Sequence, residues 1–494
     1  MYRAQGSDNN TVRRRRHIKG RHGRHSRVEQ EDKQYKGYSQ ITKRGIYVKN
    51  RKNLLKKRST TTFQIIIVGF LLLILCGALI LMLPISSKDR TVTPFFVTLF
   101  TAVSATCVTG LVAVDTATHW SVFGQAIILV MIQIGGMGVV TIALAIMSIS
   151  GKRIGLSQRS LMQESISAPQ VGGIIRLTGF ILRTSAIIEL SGALLLMPVF
   201  IRDFGVGRGI WYSFFHSISA FCNAGFDLMG IKEQYSSLTA YSSSIYVNAV
   251  IMLLIIIGGI SFMTWDDFRV NKLNFKKFSL QSKIILITSA ILIVVPAVFF
   301  FFSEYGGDGM QSRILNSLFQ SVTARTAGFN TADLDNMSEA GKTVMIVLML
   351  IGGSPGSTAG GMKTTTVAVL LLAAVSVFRR REDVEGFRRR IPEGAIRNAG
   401  AILFMYLTLF LTSAAAISLI EGLPILKCMF ETGSAIGTVG LSLGLTPALS
   451  VASKIIIMVL MFSGRVGAMT LIYAALPSGA DTDSRLPLDR ISVG

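Results

Sequence analysis

A twelve-residue pattern occurs four times along this chain, and it limits the fold more than any other feature. Phe100, Ser104, Ala105, Gly110 and Leu111 fit F-x3-S-A-x4-G-[LF], as do Phe215, Ser219, Ala220, Gly225 and Phe226, and Phe430, Ser434, Ala435, Gly440 and Leu441. The third copy, built on Phe319, Thr323, Ala324, Gly328 and Phe329, has Thr for Ser and is one residue shorter before its glycine. The shared glycines lie 115, 103 and 112 residues apart. A second mark follows each of them: Gly135-Gly136, Gly258-Gly259, Gly352-Gly353 and Gly464-Arg465 begin 25, 33, 24 and 24 residues downstream. Small-residue pairs alone often mark only helix packing. Two marks recurring together define an internal repeat.

The repeats sit among long apolar runs. Mean hydropathy is +0.53 with 16% charged residues, which soluble cores do not reach. Stretches able to cross about 30 Å of hydrocarbon run approximately 62–84, 120–148, 174–200, 244–265, 282–302, 338–378, 396–420 and 451–476. Each repeat therefore reads as an outer helix, a shorter apolar segment and an inner helix. The short segments center on helices expected over 95–105, 210–221, 313–324 and 425–436. The fold class is an all-α polytopic membrane protein of four pseudo-symmetric repeats and eight transmembrane helices.

The net charge of +23 is unevenly placed: residues 1–60 contribute 15 of it and include Arg13-Arg14-Arg15-Arg16 and Lys56-Lys57-Arg58. This stretch has no apolar periodicity and reads as a disordered, cytoplasmic tail that touches anionic lipid rather than nucleic acid. Loops 149–173, 266–283 and 379–397 carry most of the remaining positive charge and fall on the tail's side of the eight spans, so both termini are expected inside. The expected organization is a tail over 1–60, repeats over 61–150, 151–270, 271–390 and 391–476, and a C-terminal tail over 477–494.

A half-crossing helix followed by an extended, glycine-containing strand leaves carbonyls unpaired at membrane depth. That is tolerated only where they line a wet cavity or hold a ligand. Glycine permits positive φ and lets successive carbonyls point the same way. Four such strands can replace the hydration shell of a monovalent cation, and the C-terminal ends of the short helices would favor positive charge.

With these residues in view, Thr438-Val439-Gly440 resembles the start of the potassium-channel TVGYG filter. The whole pattern resembles the Trk/Ktr/HKT superfamily of cation transporters, with Arg325-Thr326-Ala327-Gly328-Phe329 and the run from Gly352 to Gly361 similar to its most specific signatures. Eight spans look more like the Ktr membrane subunit than Trk proteins with ten. The resemblance implies a selectivity filter at Cys107, Val108, Thr109 and Gly110, at Asn223, Ala224 and Gly225, at Thr326, Ala327 and Gly328, and at Thr438, Val439 and Gly440. It implies potassium as the ion held by these carbonyls, because serine at the first glycine accompanies sodium preference and Gly110 stands there. It further implies no cofactor in this chain, a homodimer, and a cytosolic ring of nucleotide-binding regulatory subunits, with sodium a coupling ion or, in the alternative, the selected one.

Within the sixth span, Gly352, Gly353, Ser354, Pro355, Gly356, Ser357, Thr358, Ala359, Gly360 and Gly361 cannot hold a continuous helix. They form either a kink or an intramembrane gate beneath the filter. Arg465 occupies the position that Gly136, Gly259 and Gly353 hold in the other repeats. It either sets a fixed positive charge against the ion path or makes a salt bridge, with Glu431 the candidate partner. Asp115, Asp227 and Asp333 follow three of the filters and are either solvated or a cation funnel.

An enzyme is the rival class, and the residues argue against it. Outside the basic tail only His119 and His216 remain, no HExxH, GxSxG or P-loop occurs, and Glu189 stands alone in its span. Cys76, Cys107, Cys222 and Cys428 have no metal-ligand spacing. A receptor or scaffold with a nucleic-acid-binding tail is the remaining rival.

Overall fold

The computed structural model of the protein describes residues 62–149, 155–166, 170, 172–307, 309–475, 487 and 489, and is predominantly helical. The basic tail and most of the C-terminal tail lie outside the described residues, as do Lys152 and Arg153. The described residues form one compact unit.

Among the described residues, four helices are long and apolar enough to cross a membrane unbroken: α1 (Thr62–Leu81), α6 (Ile174–Phe204), α10 (Leu280–Ser303) and α14 (Glu393–Glu421). Each opens one sequence repeat. After each comes a shorter helix: α2 (Phe95–Cys107), α7 (Val206–Phe221), α11 (Met310–Thr323) and α15 (Ile425–Gly437). At about 1.5 Å per residue these reach roughly 20–24 Å, too little for a crossing. Each short helix packs against the long helix before it.

The other four expected spans are each divided. The first is α3 (Val122–Met137) and α4 (Val139–Ile149), split at Gly138. The second is α8 (Ile245–Gly259) and α9 (Phe262–Asn271), which meet at 94°. The third is α12 (Glu339–Leu350) and α13 (Thr364–Phe378) with the glycine-rich loop between, and the fourth is α16 (Val451–Val466) and α17 (Ala468–Ala475), split at Gly467. The amphipathic α5 (Leu156–Ser165) follows α4.

A further repeat emerges here. Ser121, Ser244, Ser338 and Ser450 N-cap α3, α8, α12 and α16, accepting bonds from the amides of Gly124, Val247, Gly341 and Ser453. From each serine to the first residue of the downstream glycine pair is 14 residues in all four copies. In the first, second and fourth copies the pair thus sits about 21 Å below the start of its helix, and in the third it follows the C-cap of α12 directly. The longer 33-residue interval of the second copy comes from its surface loop, not from the helix.

The inner helices bridge the short helices of neighboring repeats. The helix α3 contacts α2 and α7, α8 contacts α7 and α11, α12 contacts α15, and α16 contacts both α15 and α2. That last contact joins the fourth repeat to the first. The first glycine of three pairs makes this packing possible. A Cβ on Gly135 would lie 2.0 Å from Thr106 O, on Gly258 1.8 Å from Phe221 O, and on Gly464 2.1 Å from Ile436 O.

Candidate functional site

The four short helices end facing one another, and each is followed by the same backbone turn. Val108 and Gly110 have φ of 57° and 93°, Asn223 and Gly225 58° and 67°, Thr326 and Gly328 69° and 78°, and Thr438 and Gly440 50° and 94°. Left-handed residues two apart, with an ordinary residue between, turn successive carbonyls toward the same side. Glycine adopts this freely, but Val108, Thr326 and Thr438 are β-branched and are strained there, at a cost of order 1–3 kcal/mol each. Strain repeated at one level in all four repeats marks a site that the surroundings enforce.

The third copy is shorter in sequence, yet its left-handed pair keeps the same register relative to the glycine. Its helix α11 stops at Thr323, where α2 runs three residues beyond the equivalent Ser104. The missing residue is therefore absorbed at the helix end. The hydroxyls of the motif fix the strands: Ser104 Oγ accepts from Gly110 N at 3.1 Å and Ser434 Oγ from Gly440 N at 3.0 Å, while Ser219 donates to Phe226 O at 2.7 Å and Thr323 to Phe329 O at 2.6 Å.

The glycines close the ring. A Cβ on Gly110 would lie 2.4 Å from Ala224 O, on Gly225 2.9 Å from Ala327 O, on Gly328 2.4 Å from Val439 O, and on Gly440 2.1 Å from Thr109 O. Each strand thus touches the next in cyclic order, with backbone alone at the contact. Cys107 is the last helical residue of α2, so the extended part of its strand starts at Val108.

A cavity of about 280 Å³ opens on one side of the ring, floored by all four glycines. Asp115 and Asp227 line it. Asp115 also accepts from Thr118 N and Tyr235 N, stitching the first and second repeats together. Burial lifts the half-buried Asp227 carboxyl to about 7, with the Met229 amide opposing and Asp115 adding to the rise. Asp333 differs: it is exposed, is not among the cavity's lining residues, and its carboxylate accepts from Asp335 N and Asn336 Nδ2 in its own turn.

On the opposite side, the 351–363 loop crosses directly under the ring. A Cβ on Gly360 would lie 2.0 Å from Thr438 Oγ1. The loop is pinned to several repeats. Thr358 donates through its hydroxyl to Phe221 O at 3.0 Å and Gly258 O at 2.8 Å, Ser354 N donates to Gly259 O at 3.1 Å, and Gly361 N to Gly464 O at 3.2 Å. Gly353, Pro355, Ser357 and Ala359 complete it, with Gly352 N bonded to Met362 O at 2.7 Å.

Arg465 completes the tether. Its guanidinium donates to Thr358 O, to Gly135 O at 2.5 Å and to Gly136 O at 2.8 Å, joining the fourth repeat, the loop and the break in the first inner helix. Among the described residues it has no carboxylate partner. Glu431 lies instead on the other side, accepting from Ser442 Oγ, Leu443 N and Thr446 Oγ1, which removes the salt-bridge alternative. Sequence reasoning missed Lys363, whose ammonium donates to Ala359 O at 2.8 Å and Gly360 O at 3.3 Å. It lines a second cavity of about 300 Å³ with Arg465. Its place just after the glycine run was the available signal.

The residues an enzyme would need are structurally occupied. His216 is buried between Tyr212 O and Leu228 N, His119 bonds Thr93, and Glu189 accepts twice from Gln133 Nε2. No group of three potential metal-ligating side chains occurs among the described residues.

A membrane protein whose apolar helices surround a ring of four glycine-centered backbone strands belongs to the class that handles ions. The comparisons name the family. The sequence pattern of the TrkH family, described as cation transport protein, matches residues 36–483. The chain is 39% identical over 455 residues to the potassium/sodium uptake protein NtpJ of Enterococcus hirae, covering 89% of this chain and 100% of that one. It is 41% identical over 417 residues to the Ktr system potassium uptake protein B of Bacillus subtilis, covering 83% and 92%. The crystal structure of the potassium transporter TrkH from Vibrio parahaemolyticus shares the fold, with a TM-score of 0.67 at 17% identity over 86% of each chain. The chain belongs to the TrkH family of cation transport proteins, a family of transporters and not of enzymes.

Proposed function

We propose that the protein takes up potassium across the plasma membrane through the four glycine strands, acting as a selectivity filter. The observation that carries this reading is the cyclic contact of Gly110, Gly225, Gly328 and Gly440, each preceded two residues earlier by a left-handed residue. Carbonyls so aimed supply the oxygen shell that a dehydrated potassium ion needs. Eight crossings in four repeats, with both termini cytoplasmic, accommodate the four long and four divided helices. The 280 Å³ cavity is then the external mouth, where Asp115 and Asp227 raise the local cation concentration.

The 352–361 loop acts as the gate, since it lies under the filter and is bonded to the second and fourth repeats. Arg465 latches it closed and opposes cation passage with its own charge. Control would come from outside this chain: a homodimer on a cytosolic ring of nucleotide-binding subunits, meeting the basic cytoplasmic faces, with the 1–60 tail against anionic lipid. Two relatives are named as Ktr system uptake proteins B, which supports a multi-subunit system. Sodium enters as a coupling ion in this reading. The name of the Enterococcus protein includes sodium and favors testing it directly.

Potassium-limited growth of an uptake-deficient strain tests the function: expression should rescue growth. Flux into proteoliposomes, measured separately with potassium and sodium, tests the selectivity. Equal sodium flux without potassium would overturn the assignment of the filter.

A further inference from the structure

Away from the ion path, an open groove of about 1350 Å³ lies between the first and second repeats on the same face as the Asp115 mouth. Its walls come from the segment after α1, the start of α3 and the start of α7. Three cations line it, Lys88, Arg90 and Arg208, and no carboxylate does. All three are exposed.

Such a cluster is unexpected at this place. If the mouth faces outside, positive-inside bias should have depleted this face of Lys and Arg, and a cationic groove beside a cation entrance works against capture. Several other basic side chains on the face have evident roles. Lys232 pairs with Asp203 and Lys427 with Asp335, Lys454 donates to Pro447 O, and Arg313 donates to Phe301 O and covers its ring. Lys88 donates to Ala117 O, but Arg90 and Arg208 make no ion pair among the described residues.

The groove's other wall is apolar and bare. Ile85 and Val122 are 61% and 64% exposed, and Phe123 lies beside them. Trp211 borders both walls, its indole N–H donating to Gln125 Oε1 at 2.9 Å. The N-cap of α7 is Gly205, which offers no capping side chain, so the positive end of that 16-residue helix is also open beside Arg208.

We infer that this groove binds one anionic phospholipid, its phosphodiester held by Arg90 and Arg208 with Lys88 beside them, and its acyl chain lying over Ile85, Val122 and Phe123. A guanidinium fork matches a phosphate in two bonds, and basic pockets between membrane helices suit lipid headgroups. A soluble anion would leave the apolar wall uncovered. The site is separate from the filter, and only the choice of leaflet rests on the proposed orientation.

Native mass spectrometry of the full-length protein with phosphatidylglycerol tests this without reference to transport. Wild type should retain one lipid that the R90Q/R208Q double variant binds about 30-fold more weakly. R202Q, an exposed arginine outside the groove, should retain it, and R90K/R208K, which keeps the charge but loses the fork, should bind it more weakly than wild type and more tightly than R90Q/R208Q. Lipid held by the basic tail is common to all four proteins and cancels. Equal retention by R90Q/R208Q and wild type would overturn the proposal. Equal displacement by soluble glycerol 3-phosphate would also overturn it, by making the groove a site for free anions.

Discussion

Replacing Arg465 with glutamine should open the pathway, and the structure sets the scale. The guanidinium makes three bonds to carbonyls of Thr358, Gly135 and Gly136. Charge-assisted bonds contribute about 1.5–3 kcal/mol each, so the gross loss when all three go is roughly 4.5–9 kcal/mol. Glutamine keeps one amide donor group, and water replaces part of the rest, leaving a net weakening of the closed loop of about 1–3 kcal/mol. That corresponds to roughly 5- to 150-fold more time with the loop displaced. The lost charge acts in the same direction. A unit charge about 6 Å from a passing ion, at an effective dielectric constant of about 20, raises the ion's energy by ~2.8 kcal/mol, on the order of 100-fold in flux. Potassium flux into proteoliposomes should therefore rise at least tenfold in R465Q. R465K separates the two causes: it keeps the charge and loses the three-way fork. Flux in R465K near wild type means that the field dominates, and flux near R465Q means that the latch does. Unchanged flux in a well-folded R465Q would refute both.

Other outcomes follow from the same geometry. Gly440→Ala should abolish uptake with membrane insertion intact, because the new Cβ lies 2.1 Å from Thr109 O at a residue with φ of 94°; isotope uptake in cells above half of wild type would contradict this. Gly258→Ala forces a Cβ to within 1.8 Å of Phe221 O and should cost about 1–3 kcal/mol, read as a lower melting temperature in detergent. Thr358→Val removes the hydroxyl bonds to Phe221 O and Gly258 O and should raise basal flux several-fold, less than R465Q does. Asp227, lifted by burial to about 7, is anionic above that value, so apparent potassium affinity should fall from pH 8 to pH 6 and become flat in D227N. The stability linkage has the opposite sign. The folded protein holds this proton up to about 7 while the unfolded chain releases it near 3.8, so the contribution is complete below the unfolded value and is lost as pH rises through the folded one.

Much of the site was legible in the chain. The F-x3-S-A-x4-G pattern put a glycine at the end of each short helix because only a residue without a side chain fits where four backbones meet. The short-helix bounds expected from sequence differ from the observed ones by a few residues, within the usual fraying of helix ends. The Ser N-caps 14 residues before each glycine pair were equally readable but weak singly, since serine is common in loops. Asp333 illustrates the opposite case. Its offset from Gly328 matches that of Asp115 from Gly110, yet a local turn directs its carboxylate to Asn336, and offset alone carries no direction.

By itself the sequence determined the repeat, the apolar helices and the strand residues able to adopt left-handed backbone, because those depend on residue type and local spacing. Tertiary structure decided the rest. It set the cyclic order of the strands through the contact of α16 with α2, and the division of the inner helices at Gly138, Gly467 and their equivalents. It also chose the partners of Arg465. A guanidinium that could have met Glu431 found three backbone carbonyls instead, because helix breaks hundreds of residues apart in sequence expose those oxygens at one point in space.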